Sequence, residues 1–247
     1  MIDYHRLYEL ANQLHQNYMA AQPFPHIVME DVVEAGFLEQ ILQTFPTPEK
    51  TDSWRRMHVR SNNQDMQYAK LGLRSELEMP LQARQLIHAL NSGPFLHFLE
   101  RLTGIENLLP DPSLQGGGLH QILPGGVLGV HADFTRQERY QLDRRLNLLL
   151  FLNHDWQDQY GGNLELWSRD MSRCERNIRP EFGRCVIFNT DNTSFHGHPR
   201  RLTCPAGVTR KSIALYYYSN GRDDNSVRAT TDTDWQSLPD LPKPESE

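Results

Sequence analysis

Apolar and polar residues follow different patterns on either side of residue 110. Before it, apolar residues recur at three- and four-residue spacing, which predicts amphipathic helices. The segments concerned are residues 5–19, 33–45 and 82–104, the last with a break at Ser92-Gly93-Pro94. FPHIVMEDV (24–32) predicts a short strand between the first two helices. The polar, irregular residues 46–72 predict a surface loop.

The second half of the chain carries short apolar segments, rich in β-branched and aromatic residues, between turn signals. They are GGLHQILPGG with its turn, VLGVHADF, RRLNLLLFLN (144–153), NLELW (163–167), GRCVIFN (183–189) and RKSIALYYYS (210–219). This spacing predicts a mainly β fold, closed or sandwiched, with the N-terminal helices packed on its outside. We interpret residues 1–247 as one domain: a helical support region (1–110), a β-core (111–220) and a polar C-terminal tail (221–247) with a mobile end.

Composition and charge narrow the function classes. With 38% hydrophobic and 23% charged residues, the chain is typical of a soluble globular protein. Its formal net charge of −6 argues against nucleic acid or an anionic membrane as a partner. The sequence has no apolar segment of membrane-spanning length, no signal-peptide features, and only three cysteines, without metal-binding spacing. We therefore expect a cytoplasmic protein, whose oligomeric state the sequence does not indicate.

Three polar sites in the β-half suggest metal chemistry. His131 and Asp133 in VHADF are two positions apart, so in a strand both project from one face. SFHGHP offers His196 or His198 as a second imidazole. Two histidines and one carboxylate are the ligand set of non-haem iron(II) oxygenases. Arg210, which opens the next strand, would bind the far carboxylate of a dicarboxylate co-substrate.

The ordered motifs HxD, LNLLLFLN-x-DW, GG-x-LELW, FHG and R-x-S resemble the Fe(II)- and 2-oxoglutarate-dependent dioxygenases, in particular their prolyl-4-hydroxylase-like branch. The resemblance covers residues 114–219 and implies a double-stranded β-helix, or jelly roll. It implies His131, Asp133 and His196 as iron ligands and Arg210 as the 2-oxoglutarate anchor. His198 would then lie just outside the metal ligands or on the substrate side. The implied cofactors are Fe(II), 2-oxoglutarate and O2, with ascorbate as a further candidate.

Two positions depart from that branch. Phe151 stands where a tyrosine usually contacts 2-oxoglutarate, and Gln121 stands where a second tyrosine is common. We therefore expect Ser212, Asn147 and Gln121 to contribute to the co-substrate pocket. Strand alternation places Ser212 on the face of Arg210 and Asn147 on the face of Phe151.

The resulting hypothesis is a hydroxylase that acts on an unactivated C–H bond of a prolyl residue, an amino acid or a related metabolite, with release of succinate and CO2. Its substrate would be a small molecule, peptide or protein bound at a mouth edged by residues 46–72 and 135–145, the latter a solvated loop or a substrate lid. One alternative is a catalytically silent 2-oxoglutarate-binding or sensing module on the same fold. Another is a cupin-like zinc or manganese enzyme. We interpret Gly161-Gly162 as an ordinary turn and give His120 no role.

Overall fold

The computed structural model describes residues 1–50, 52–61, 63–224 and 227–238, and within them the chain forms four α-helices. They are α1 (Tyr4–Ala20), α2 (Ala35–Gln43), α3 (Leu81–Leu90) and α4 (Gly93–Thr103). The predicted helices are confirmed, including the break before α4, where Pro94 occupies the first turn because its missing N–H has no role there. None of these helices is long and apolar enough to span a bilayer.

Thirteen strands form within the same residues, and all of them join one antiparallel sheet. They are β1 (His26–Met29), β2 (Arg55–Ser61), β3 (Gln64–Leu73), β4 (Leu109–Pro110), β5 (Gly118–Ala132), β6 (Arg136–Gln137), β7 (Leu142–Phe151), β8 (Leu164–Trp167), β9 (Cys174–Ile178), β10 (Cys185–Asn189), β11 (His196–His198), β12 (Arg210–Ser219) and β13 (Asp234–Trp235). The main path through the sheet is β1-β10-β7-β12-β5-β11-β8-β9.

The sheet curls so that the two ends of this path face each other. Leu164 and Leu166 of β8 pack in one buried cluster with Phe151 of β7 and with Val186 and Phe188 of β10. Strand β5 joins the two layers, because its first residues pair with β12 and its last residues with β11. This is the predicted mainly β architecture of a double-stranded β-helix.

The helices cover the outer face of the larger layer. As strand alternation predicts, alternate residues of β7 face the helices and join the main core: Leu146, Leu148 and Leu150, followed by Leu152 just past the strand. Phe95 and Phe98 of α4 pack on the same layer, with the Phe95 ring 6.4 Å from that of Tyr217. Burying each such side chain contributes about 1.5–3 kcal/mol. The opposite face of β7 is thereby left for the interior of the barrel.

Two predictions of local structure are wrong. Residues 46–72 are not a loop: β2 and β3 form a hairpin, and β3 pairs along β5 from Gln67 to Leu73. The predicted turn after Ile122 does not end a strand, because β5 continues to Ala132. Lys70 pairs with Ile122 and Tyr68 with Val127, so the intervening residues 123–126 bulge out of one continuous strand.

Two further segments are more ordered than predicted. Residues 135–145 include β6, which pairs with the start of β7, so the segment is a short hairpin rather than a solvated loop. The polar tail contributes β13, in which Trp235 pairs with His131. The end of the tail, 239–247, lies outside the described residues, and so does the prediction that it is mobile.

Candidate active site

Three predicted ligands converge at one end of the barrel. His131 ends β5 with Asp133 just beyond it, and the pairing of β11 with β5 places His196 directly opposite His131. One ligand atom from each of the three side chains lies within 4.8 Å of the others, and all three residues are buried. The Asp133 carboxylate is 3.6 Å from His131 Nε2 and 3.5 Å from His196 Nε2. This separation suits atoms that share a metal ion.

Backbone carbonyls fix the orientation of both imidazoles. His131 Nδ1 lies 2.8 Å from the Gly129 carbonyl, and His196 Nδ1 lies 2.9 Å from the Ser194 carbonyl. Each Nδ1 therefore carries the proton and donates it to the carbonyl, which leaves Nε2 with a free lone pair. Burial, with His131 nearby, lowers the pKa of His196 to about 4, so its ring is neutral at pH 7. Two imidazoles that present Nε2 and a carboxylate fit a divalent iron and leave other coordination positions open.

Asp133 is held by a buried network that the sequence did not suggest. Arg144 donates to Asp133 Oδ2 over 2.9 Å, and Asn147 Nδ2 donates to the same oxygen over 2.7 Å. Arg144 also donates to the side-chain oxygen of Asn147, so the three groups form a closed triangle. Burial alone would raise the pKa of Asp133, but the Arg144 guanidinium and the neighbouring His131 and His196 together outweigh it and hold that pKa well below its usual value. Asp133 is therefore ionised and oriented.

Aromatic rings hold Arg144 in place. Its guanidinium lies 3.5 Å from the centroid of the Tyr216 ring and 4.7 Å from that of Phe134. Stacking of this kind favours arginine over lysine, because the planar guanidinium is weakly hydrated. Tyr216 belongs to the Tyr216–Tyr218 run of β12, and its ring serves the site rather than packing alone.

A cavity of about 170 Å³ extends from the three ligands into the barrel and reaches Arg210 and Ser212. Arg210 is buried, its guanidinium lies 4.8 Å from the Phe151 ring centroid, and its Nε donates to the Gly162 carbonyl over 2.6 Å. Burial lowers the pKa of Arg210 to about 9. Gly162, with φ of +73°, is more than a turn residue, since a Cβ there would lie 3.1 Å from the Arg210 side chain.

The remaining predicted site residues, Ser212, Asn147 and Gln121, differ in whether they are available to a ligand in the cavity. Ser212 lines the cavity on the face of Arg210, as alternation predicts, whereas Asn147 is committed to Asp133 and Arg144. The structure does not bring Gln121 to the cavity. Its amide donates to the Pro46 carbonyl and accepts from Thr209, on the far side of β5. The bulge at 123–126 shifts the alternation of β5, so His120, and not Gln121, faces inward.

Sequence reasoning missed several residues that line the cavity. His198 was left without a fixed role, and it lies in the wall with His120 and Lys70, which comes from the β3 hairpin. Trp235 of the tail packs against His131, with the ring centroids 4.8 Å apart and the planes tilted by 37°. Nothing in the sequence indicated these positions. Lys70 lies in a segment that was interpreted as a loop, and Trp235 is a single tryptophan in a polar tail.

Comparisons with known proteins agree with this geometry. Residues 117–218 match the family model described as the 2OG-Fe(II) oxygenase superfamily. This range includes every predicted ligand and Arg210. No curated protein sequence matches the chain.

Solved structures share the fold at low sequence identity. A prolyl hydroxylase of Trichoplax adhaerens, in complex with a peptide of the hypoxia-inducible factor oxygen degradation domain, is 17% identical, with a TM-score of 0.61 over 87% of this chain and 91% of that one. A Pseudomonas putida prolyl-4-hydroxylase is 16% identical, with a TM-score of 0.59 over 85% and 99%. HygX of Streptomyces hygroscopicus, with nickel and 2-oxoglutarate bound, is 12% identical, with a TM-score of 0.51 over 85% and 92%.

Proposed function

We propose that this chain is a 2OG-Fe(II) oxygenase, the superfamily whose model matches residues 117–218, and that its cavity binds Fe(II) and 2-oxoglutarate to hydroxylate a C–H bond. Iron would be held by His131 Nε2, His196 Nε2 and the Asp133 carboxylate. Arg210 and Ser212 would hold the far carboxylate of 2-oxoglutarate. The observation that carries the proposal is the convergence of three ligand atoms within 4.8 Å at one end of the cavity that Arg210 lines.

Bound Fe(II) supplies the activation of O2, coupled to decarboxylation of 2-oxoglutarate. In the balanced reaction, R–H, O2 and 2-oxoglutarate give R–OH, succinate and CO2. The protein orients both histidines through Nδ1 so that Nε2 is free, holds Asp133 with Arg144, and provides a positive charge at Arg210 for the distant carboxylate. It also encloses the reacting groups in a buried cavity, which excludes bulk water.

The substrate belongs to the same proposal. We propose a prolyl residue, a free amino acid or a related metabolite as the group that is hydroxylated. Among the solved structures, one prolyl hydroxylase holds a peptide and HygX holds hygromycin B, so the shared fold accommodates substrates of both kinds. A silent 2-oxoglutarate-binding module is not favoured, because all three ligands and Arg210 are in place.

Succinate release measured against free amino acids and proline-bearing peptides tests the function. We expect at least one substrate to stimulate succinate formation in step with the gain of one oxygen atom in its mass. Asp133→Ala should abolish both signals, whereas Arg145→Met should retain them, because Arg145 of β7 contacts Ser219 and does not line the cavity. Iron-loaded protein that forms no succinate with any substrate, and none without one, would contradict the proposal.

A further inference from the structure

The cavity carries more positive charge than the proposed metal site uses. Arg144 is neutralised by Asp133. Within the described part of the chain, no carboxylate lies within ion-pair distance of Arg210 or Lys70, although both line the cavity. A charge buried without a partner is costly, so two cations in one cavity indicate an anionic ligand that lies near both.

Strand pairing places these two cations on either side of one residue. Ile122 of β5 pairs with Lys70 of β3 on one side and with Arg210 of β12 on the other. Residues paired across a sheet project from the same face, so Lys70 and Arg210 both point into the cavity. Their Cα atoms are about 10 Å apart, two strand spacings. Two long side chains at this distance can reach a single carboxylate between them.

His198 supplies a third group at the same place. It is only 2% exposed and lines the cavity. Neither of its ring nitrogens makes a well-formed hydrogen bond, although the main chain of Arg200 lies nearby. Buried imidazole nitrogens normally have partners, so at least one nitrogen of His198 is available to a bound molecule.

A group that the family commonly uses is absent here. Phe151 has a ring but no hydroxyl, and Ser212, which pairs with it across the sheet, offers only one short side chain. Asn147 is already bonded to Asp133 and Arg144, so it cannot replace that hydroxyl. Lys70 and His198 are cavity groups with donors to spare, and His120, which also lines the cavity, has an Nε2 that makes no hydrogen bond.

We propose that Lys70 and His198 bind the far carboxylate of 2-oxoglutarate together with Arg210 and Ser212, an assignment that rests on the proposed function. Lys70 provides a second positive charge, and His198 provides a hydrogen bond in place of the missing hydroxyl. Burial lowers the pKa of Lys70 to about 8, and the nearby Arg210 and Arg144 add to this against the opposing effect of Asp133. The carboxylate would relieve the repulsion between the cations when it binds.

Three ligands allow binding at the two ends of the co-substrate to be measured separately. 2-Oxoglutarate has both the metal-chelating 2-oxo acid and the far carboxylate, 2-oxopentanoate has only the first, and glutarate has two carboxylates but no oxo group. Calorimetry on the Ni(II)-loaded protein gives Kd for the first two ligands. Thermal shift of the metal-free protein reports glutarate binding and requires neither metal nor turnover. The variants are Lys70→Met and His198→Leu, with Lys211→Met as the control, because Lys211 projects from the other face of β12.

Lys70→Met should weaken 2-oxoglutarate binding about 10- to 100-fold, the effect of one lost charge-assisted hydrogen bond, and leave 2-oxopentanoate binding unchanged. His198→Leu should weaken it about 3- to 10-fold with the same selectivity, and His198→Gln, which keeps a donor, should recover part of the loss. Both loss variants should reduce the glutarate shift. Lys70→Met should also raise the Tm of the ligand-free protein, because it removes an unpaired charge that is partly buried. Lys211→Met should change none of the ligand measurements.

The results that overturn the assignment differ from those that overturn the function. A wild-type protein that binds 2-oxoglutarate no better than 2-oxopentanoate has no far-carboxylate site, which contradicts both. A wild-type protein that discriminates between the two, with Lys70→Met and His198→Leu unchanged or weakened equally for both ligands, overturns this assignment alone. If only one of the two variants behaves as expected, the other residue has no role in binding. Circular dichroism of each variant, with Lys70→Gln as a second substitution, excludes misfolding as the cause.

Discussion

At the scale of single residues, the site depends on what surrounds the metal ligands as much as on the ligands themselves. The sequence predicted His131 and Asp133 because two-residue spacing places both on one face of a strand. It could not predict Arg144, because an arginine eleven positions after Asp133 becomes its partner only when β7 and β5 take their places on either side of β12. Long-range pairing of this kind leaves no local pattern.

Arg144→Met should weaken metal binding about 10-fold, since it removes a group that orients and ionises Asp133. Without the guanidinium, burial raises the pKa of Asp133, so protons compete with the metal and affinity falls further on acidification than in the wild type. Anaerobic calorimetry with Fe(II) at two pH values measures both effects. Arg145→Met is the control, because Arg145 contacts Ser219 instead. Equal affinities for the two variants would show that Arg144 does not position Asp133.

His120 makes the metal-free protein sensitive to acid. Burial, with the charge of Lys70 close by, lowers the pKa of His120 well below its usual value in the folded state. Below about pH 6.5 the unfolded chain therefore binds a proton that the folded chain does not, so stability decreases as the pH falls. The loss from one such group is at most about 1.4 kcal/mol per pH unit.

His120→Gln should therefore flatten the decrease in the free energy of unfolding between pH 6.5 and 5, measured by urea denaturation of the metal-free protein. His97→Gln, at an exposed position of α4, should leave the slope at its wild-type value. If both variants follow the wild-type curve, His120 is protonated equally in the folded and unfolded states.

At the scale of elements, the sequence predicted those strands whose two faces differ in polarity. RRLNLLLFLN is one, because one face packs on the helices and the other lines the barrel. The β2–β3 hairpin was missed because its inward face carries Gln67 and Lys70, which line the cavity and are as polar as the solvent face. Because these cavity-lining residues are polar, the hairpin lacks the apolar alternation by which a strand is recognised in a sequence. Gln121 was misplaced for a different reason. Strand alternation assumes a regular strand, and the bulge in β5 changes which of its residues face inward.

Gly197 sets the distance between β11 and β5. A Cβ at this position would lie 2.7 Å from the Gly129 carbonyl oxygen and 2.8 Å from that of Leu128. Gly197→Ala should therefore push β11 away from β5 and separate His196 from His131, with a lower Tm and at least about tenfold weaker metal binding. Gly93→Ala is the control, because its Cβ would meet no atom within 4 Å. Wild-type metal affinity in Gly197→Ala would contradict this close approach.

At the scale of the whole molecule, the cavity is assembled from segments far apart in the chain. The matched range 117–218 supplies the ligands and Arg210, but Lys70 comes from the N-terminal half and Trp235 from the tail. The sequence predicted the order of the main elements, and the three residues that it offered as iron ligands lie together in the structure. It could not predict which outlying segments return to the barrel, since that depends on pairing along both edges of β5.

Trp235 should report on the metal site. Its ring packs against that of His131, with the centroids 4.8 Å apart, so Ni(II) binding should quench its fluorescence. Trp235→Phe should remove most of the metal-dependent quenching. Trp54→Phe should not, because Trp54 stacks on Phe45 beneath the helices. Undiminished quenching in Trp235→Phe would mean that the tail does not close over the site.

We propose that His131, Asp133 and His196 hold iron to which 2-oxoglutarate binds directly. Anaerobic addition of Fe(II) and then 2-oxoglutarate, followed by visible absorbance, tests this without a substrate. The account predicts a charge-transfer band that saturates at one 2-oxoglutarate per chain and that disappears in His131→Ala. No band in the wild-type protein, or an unchanged band in His131→Ala, would contradict it.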